Sequence, residues 1–317
     1  MSGNEVKMDK KDSVIPVVIF HEGCPSHLIH SVESAKRFND RVILLGNEDN
    51  KHITEEWYDC NKLDLTRYEE FKKVFENYST YNDFFAIIVF KRYFVIYELM
   101  KKLGFDRVMM VESDLYTCAN YSEIPFLKDA YAMVSTVAGQ EKNYGWSSCC
   151  HCSYWTKEAM NDFLDFCYDT YTKNKALLLE KWEYHKSRNE AGGVCDMTLA
   201  YLWSRDRKNV LNSALEHNGF TIDQNLCDRA NYTEDEYEYN NLAKIKKYVI
   251  KKDDKGNKLP YLVKKDKTLV RVYSIHCSGR GKLALPYFNK GYFFVCVAQL
   301  AGLLKIKLGA IKNKILK

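Results

Sequence analysis

A short apolar run that ends in two carboxylates constrains the fold of this chain more than any other stretch. Residues 108–111 read Val-Met-Met-Val, a pattern typical of a strand that is buried on both faces of a sheet. Glu112 and Asp114 follow, and in extended backbone two residues that are two positions apart point to the same side. The stretch therefore predicts a central strand of an α/β sheet, with both carboxylates at its carboxyl end.

Two neighbouring carboxylates repel each other unless something neutralises them. A divalent cation that prefers oxygen ligands, Mn²⁺ or Mg²⁺, would do so and could also hold a substrate diphosphate. Ligands of open α/β sheets bind just outside the carboxyl ends of the strands, where this pair falls. The alternative is that Asp114 is a turn residue and that Glu112 pairs with a nearby Arg or Lys.

The chain as a whole has the composition of a globular protein. Its 317 residues are 46% hydrophobic and 28% charged, which suits one large α/β domain. Eleven cysteines together with a polar amino terminus favour reduced thiols in the cytoplasm. The net charge of +5 is too small to indicate a nucleic-acid partner, and five lysines from Lys305 onward account for all of it. We divide the chain into a polar extension (1–12), a domain (13–290) and an apolar, basic tail (291–317).

The order of the apolar segments predicts a Rossmann-type sheet, mixed but mostly parallel and flanked by helices. Two strands around a helix open the chain, and a long helix that begins at Asp83 and ends at Gly104 leads into the strand at 107. Further segments are predicted as strands at 131–137, 149–155 and 270–275, helices at 158–171 and 196–203, and a hairpin at 247–263.

A second set of polar residues follows the last of these strands. His276 could be a metal ligand or a proton carrier. Gly279 and Gly281 would let backbone N–H groups approach phosphate oxygens, and Arg280 or Lys282 could neutralise a diphosphate leaving group. Together with the carboxylate pair, these are the parts needed to break a sugar–phosphate bond.

These motifs resemble those of the metal-dependent GT-A fold glycosyltransferases. Glu112-Ser113-Asp114 resembles their Asp-x-Asp motif, and the His-x-x-Gly-x-x-Lys pattern of residues 276–282 resembles a downstream element found in family eight among others. Residues 90–94 and 192–198 are similar to segments of little-characterised bacterial glycosyltransferases of surface polysaccharide synthesis. The likeness covers roughly residues 14–286.

The resemblance implies a nucleoside diphosphate sugar as donor, held through Mn²⁺ or Mg²⁺. It assigns the metal to Glu112, Asp114 and His276, and the donor to His21, Arg92, Ser113, Gly279 and Lys282. Asp196 would bind the acceptor hydroxyl or act as general base, with Glu190 as substitute, although Asp196 is equally suited to cap a helix. Glu112 stands where the family usually has Asp and is one methylene longer, which weakens its assignment as a ligand.

Two further segments carry expectations of their own. Cys149-Cys150-His151-Cys152 lacks the spacing of a zinc site, so we expect buried thiols and a histidine that faces the acceptor cleft. The tail is too short in its apolar part to span a bilayer, which needs roughly 20 residues. As a helix it would align Leu304, Leu308, Ile311 and Ile315 between flanking lysines, either as an interfacial helix on an anionic membrane or as a helix packed on the domain.

The sequence therefore favours a metal-dependent glycosyltransferase acting on a glycan or lipid-linked acceptor. A sugar nucleotidyltransferase is an alternative, but residues 21–25 lack the Gly-rich signature that this class commonly carries after its first strand. A non-catalytic protein that binds glycans or membranes on a degenerate transferase scaffold is another alternative, and Glu112 is its best support.

Overall fold

The computed structural model describes residues 14–136, 139–228 and 236–315. The helices in these ranges are α1 (Leu28–Phe38), α2 (Thr66–Val74), α3 (Asp83–Leu103), α4 (Lys157–Thr172), α5 (Lys175–Ser187), α6 (Asp196–Ser204) and α7 (Tyr292–Ile315). The strands are β1 (Val17–Phe20), β2 (Val42–Gly46), β3 (Trp57–Asp59), β4 (Arg107–Val111), β5 (Leu115–Thr117), β6 (Ala132–Thr136), β7 (Ser148–Thr156), β8 (Val210–Asn212), β9 (Glu216–His217), β10 (Phe220–Asn225), β11 (Tyr239–Asn240), β12 (Ile245–Lys246), β13 (Tyr248–Lys252), β14 (Lys258–Val263) and β15 (Leu269–His276).

The main sheet has seven strands in the order β3-β2-β1-β4-β7-β6-β8. The first four strands run parallel to one another, β7 is antiparallel to both of its neighbours, and β8 is parallel to β6. The predicted mixed, mostly parallel sheet flanked by helices is therefore confirmed, and β4 is its central strand.

The apolar run of β4 contributes to two cores, one on each face of the sheet. Val108 and Met110 pack in the core formed with α3, α4 and α6, whereas Met109 and Val111 pack in the core formed with α1. All four side chains are buried, and each stabilises the fold by about 1.5–3 kcal/mol relative to an exposed position. The alternation explains why the run has no polar residue until Glu112.

Helix α3 crosses one face of the sheet and carries two buried cations, Lys91 and Arg92, at its centre. Its first turn is capped by the Asn82 side chain, which accepts a hydrogen bond from the Phe85 amide. It ends as predicted at Gly104, whose φ of 69° is a left-handed conformation that glycine adopts without strain.

A second sheet, which the sequence analysis did not predict, lies beside the first. Its main strands have the order β13-β14-β15-β10-β9, and β5 also pairs with β15. The predicted hairpin is present as β13 and β14, but β10 was missed because its sequence, Phe-Thr-Ile-Asp-Gln-Asn, has too few apolar residues to be recognised. This sheet positions His276 relative to the main sheet.

Candidate active site

The two predicted sets of polar residues meet because β5 pairs with β15. The chain turns after β4, with the Leu115 amide donating to the Glu112 carbonyl at 3.2 Å, and continues as β5 antiparallel to β15. In that register His276 lies opposite Leu115, and the Cys277 amide donates to the Asp114 carbonyl at 2.9 Å. Backbone pairing between two distant segments therefore places the imidazole beside the carboxylates.

The side chains predicted to bind metal converge in this structure. His276 Nε2 lies 3.3 Å from Asp114 Oδ1 and 3.9 Å from Glu112 Oε2. One potential ligand atom from each of the three lies within 4.8 Å of those of the other two. Lys282 Nζ lies 3.4 Å from Asp114 Oδ2, on the other side of that carboxylate.

The residues present fit a divalent cation. Asp114 Oδ1 is buried, and beyond its ion-pair contact with His276 Nε2 it has no further partner among the described residues, so it keeps acceptor capacity that an ion or its bound water would use. Two carboxylates and an imidazole are ligands that Mn²⁺ accepts, and Mg²⁺ shares the carboxylate preference. Burial acts to raise the pKa of Asp114, but the neighbouring His276 and Lys282 outweigh it and hold that pKa well below its ordinary value.

Arg92 binds two carboxylates at once. Its guanidinium donates to Glu112 Oε1 and to Asp196 Oδ2, and the Tyr93 hydroxyl also donates to Asp196 Oδ2, at 3.0 Å. Burial acts to raise the pKa of Glu112, but Arg92 outweighs it, so the pKa is lowered. The ion-pair interpretation of Glu112 therefore holds for its Oε1 oxygen, while Oε2 faces His276. The structure places Arg92, predicted to bind the donor, on these carboxylates.

The two candidates for the acceptor side lie in different surroundings. Asp196 is buried, and it is the first residue of α6 rather than its cap, because Cys195 occupies the N-cap position. Glu190 is exposed, pairs with His185 at 2.8 Å, and does not line the pocket that contains Asp196. The structure therefore brings Asp196, but not Glu190, to the site.

A pocket of about 200 Å³ opens beside the carboxylates. Arg92, Glu112, Asp196, His151 and His276 contribute its polar groups. The remaining wall is apolar or sulfur-containing: Tyr81, Phe85, Ala86, Val89, Cys149, Cys150, Cys195 and Met197. A larger pocket of about 960 Å³, lined by residues such as Pro16 and Arg107, lies at the amino ends of β1 and β4, at the opposite edge of the sheet.

His151 and Asp223 form a buried pair directly behind His276. The ring centroids of His151 and His276 are 3.9 Å apart and nearly parallel, and His151 Nε2 donates to Asp223 Oδ2 at 2.5 Å. Burial acts to lower the pKa of His151, but Asp223 outweighs it and raises that pKa. The sequence indicated His151 but missed Asp223, whose only signal was one acidic residue in the unrecognised strand β10.

The thiols around His151 are not part of the candidate metal group among the described residues. Among the described residues, the group of three whose ligand atoms lie close enough for a metal is Glu112, Asp114 and His276. Cys150 and Cys152 are buried thiols, as predicted, and His151 lines the pocket.

The first loop and the glycine-containing segment border the same region. His21 follows β1, and burial together with Lys282 lowers its pKa against the opposing effect of Asp114 and Glu112. Asn50 fixes this loop by donating to the carbonyls of His21 and Gly23, at 2.7 and 2.9 Å.

Gly46 permits the close approach of this asparagine. A Cβ at position 46 would lie 2.1 Å from Asn50 Oδ1, so a larger residue would displace the side chain that holds the loop.

The sequence analysis also named Ser113, Gly279 and Gly281 as candidates for the donor side of the site. Ser113 is buried in the turn between the two carboxylates. Gly279 has a φ of 55° and opens the 3-10 segment that carries Lys282. The Gly281 amide donates to the Ser278 carbonyl at 2.8 Å, so it is already engaged and the idea that it faces a phosphate needs correction.

His27, next to this loop, provides a test of the electrostatics. Burial and Lys282 lower its pKa from 6.5 to about 4. Between these values the unfolded chain binds a proton that the folded chain does not, so His27 lowers the stability as the pH falls from 6.5 towards 4. Because the imidazole is only half-buried, we expect an effect of about 1 kcal/mol between pH 7 and pH 5.

Urea denaturation of the wild type and of His27→Gln at pH 7 and pH 5 measures this contribution. The variant should lose less stability over the interval, and equal losses in the two proteins would show that His27 is protonated in the folded state. His52→Gln is the matched control because this histidine is exposed.

No protein-family model matches the chain, and no curated protein matches it. Similar solved structures include mouse xyloside xylosyltransferase 1, with 10% identity, 67% of this chain and 88% of that chain covered, and a TM-score of 0.45. The bifunctional glycosyltransferase WbbM has 15% identity and a TM-score of 0.44, with 92% of this chain covered but only 50% of WbbM. The galactosyltransferase LgtC, in complex with donor and acceptor sugar analogues, has 13% identity, coverage of 66% and 76%, and a TM-score of 0.37.

These solved structures are glycosyltransferases, the class that the sequence motifs resemble. Each of these TM-scores is below 0.5.

Proposed function

We propose that this chain is a metal-dependent glycosyltransferase that transfers a sugar from a nucleoside diphosphate sugar to a glycan or lipid-linked acceptor. It would act in the cytoplasm, in the synthesis of a surface polysaccharide or glycoconjugate. The observation that carries the proposal is the convergence of Glu112, Asp114 and His276, with Lys282 on the far side of Asp114. An ion held by this group would share the Asp114 carboxylate with the cationic side chain of Lys282, an arrangement suited to diphosphate recognition.

Asp114, Glu112 and His276 would hold Mn²⁺ or Mg²⁺. When bound, the ion would neutralise charge that develops on the leaving diphosphate. Lys282 adds a positive charge beside the same position, and its contribution is larger in the transition state because the leaving group gains charge as the sugar–phosphate bond breaks. His21 and the loop fixed by Asn50 would border the donor.

The pocket of about 200 Å³ beside the carboxylates would receive the acceptor. Asp196 is held at its wall by Arg92 and Tyr93, which gives the carboxylate a fixed position from which to bind an acceptor hydroxyl. Tyr81 and Phe85 are half-exposed at the rim and in contact with each other, and such aromatic faces can pack against the apolar face of a sugar ring.

Calorimetry of nucleoside diphosphates with and without Mn²⁺ tests this proposal. We expect binding that needs the ion, and we expect Lys282→Ala to weaken the diphosphate complex about 10-fold or more while the ion alone binds as in the wild type. Lys255→Ala, in the exposed hairpin turn, is the matched control. Equal binding in the presence of a chelator would contradict the proposal.

One observation favours a second candidate, a non-catalytic binding protein on a transferase scaffold. Arg92 already neutralises one oxygen of Glu112, which reduces the need for an ion. The same calorimetry distinguishes the two, since this candidate predicts no metal-dependent binding. A screen for Mn²⁺-dependent hydrolysis of nucleotide sugars then identifies the donor if the first candidate holds.

A further inference from the structure

Helix α7 exposes a continuous apolar stripe. Phe293, Val297, Leu300, Leu304 and Leu308 recur at intervals of four, three, four and four residues, so they share one helical face. Between 39% and 71% of each of these residues is exposed. A soluble surface seldom carries so many large apolar side chains in one row.

The face of α7 that packs on the protein is occupied by other residues. Val295 and Gln299 are fully buried, and Gln299 Nε2 donates to the Arg280 carbonyl at 3.1 Å. A Cβ at Gly302 would lie 2.4 Å from Leu283 Cδ1, which shows how closely the helix approaches the preceding 3-10 segment. The helix is thus fastened to the protein, and its apolar stripe is left facing outward.

The charge of this region identifies what could cover the stripe. No acidic residue follows Asp266 in the sequence, whereas five lysines lie between Lys305 and the last residue. A protein surface would need both apolar and acidic groups in a matching row, but an anionic bilayer supplies acyl chains and phosphate groups everywhere. No helix in the described parts of the chain is long and apolar enough to cross a membrane, so insertion would be limited to the interface.

We propose that α7 docks flat on an anionic lipid bilayer, with the stripe at the boundary between acyl chains and head groups, while the positive charge of the lysines from residue 305 onward adds electrostatic attraction to the phosphates. This docking does not depend on the proposed transfer reaction. It adds a physical consequence, because Gln299 ties the helix to Arg280, two residues from Lys282. The membrane contact and the diphosphate side of the site therefore belong to one packed unit, which suits an acceptor presented by a lipid.

Co-sedimentation of the full chain with vesicles tests the docking. We expect binding to phosphatidylcholine vesicles that contain phosphatidylglycerol, weaker binding to phosphatidylcholine alone, and loss of binding as salt is raised. Leu304→Asp should weaken vesicle binding about 10-fold or more, because it places a charge in the apolar stripe. Leu242→Asp is the matched control, as this leucine is 79% exposed but lies outside the helix.

Two further measurements keep the outcomes distinct. Calorimetry with Mn²⁺ and a nucleoside diphosphate should give the same result for Leu304→Asp and the wild type, so a failed function and a failed docking are separable. Sedimentation velocity tests the other occupant: a dimer that Leu304→Asp dissociates would assign the stripe to a second copy. That result, or equal binding to vesicles with and without phosphatidylglycerol, would overturn the proposal.

Discussion

Asp114→Asn is expected to lower Mn²⁺-dependent transfer by about 10³-fold or more, and Asp114→Ala to abolish it. This carboxylate is the centre of the site, with His276 on one oxygen and Lys282 on the other. Its pKa is held low, so it is ionised at neutral pH, and asparagine keeps its shape while removing the charge. We therefore expect this variant to lose both turnover of a nucleotide sugar and binding of Mn²⁺, the latter measured by calorimetry.

The control for this variant is Asp254→Asn, since Asp254 is exposed in the turn between β13 and β14. Circular dichroism and thermal unfolding establish that Asp114→Asn is folded, because the lost charge also leaves His276 and Lys282 without their shared partner. Turnover like that of the wild type in a folded Asp114→Asn would remove Asp114 from the mechanism.

Arg92→Met is expected to cause the largest loss of stability, about 3–5 kcal/mol. The substitution keeps much of the side-chain volume but leaves the buried carboxylate of Asp196 and the partly exposed carboxylate of Glu112 without their guanidinium partner. An uncompensated buried charge costs far more than the net value of an ion pair, which explains the size of the effect. Urea denaturation at neutral pH measures it.

Two comparisons make the Arg92 result specific. Tyr93→Phe removes one hydrogen bond to Asp196 and should cost about 1 kcal/mol. Combining Arg92→Met with Glu112→Gln and Asp196→Asn removes both orphaned charges and should recover most of the stability. If Arg92→Met alone costs less than the tyrosine variant, the guanidinium is not the counterion that the geometry indicates.

Local patterns accounted for the elements with strong hydrophobic periodicity. Three such elements were predicted: the apolar strand β4, the long helix α3 with its terminal glycine, and the hairpin of β13 and β14. In each of them, neighbouring residues carry the hydrophobic pattern or the turn residues that specify the element. Helix α5 and strand β10 were missed, since α5 is polar on most of its surface and β10 has only two apolar residues among its six.

The residues of the candidate site also fall into two groups, those that local sequence patterns indicated and those that they did not. The residue types of Glu112, Asp114, His276 and Lys282 predicted a site for an ion and a diphosphate, because they lie at or shortly after the ends of two strands. No local signal indicated that Arg92 would bind both Glu112 and Asp196, which lies 104 positions after the arginine, or that Asp223 would support His151.

The sequence by itself determined the central strand, most of the flanking helices and the residue types at two strand ends, because periodicity and residue type act over a few neighbouring positions. Only the tertiary structure decided which of these charged groups form ion pairs with one another. The register between β5 and β15 brings His276 to Asp114, and the packing of α3 against β4 and α6 lets Arg92 compete for Glu112. Such contacts depend on the free energy of the whole assembled core, which no short segment specifies.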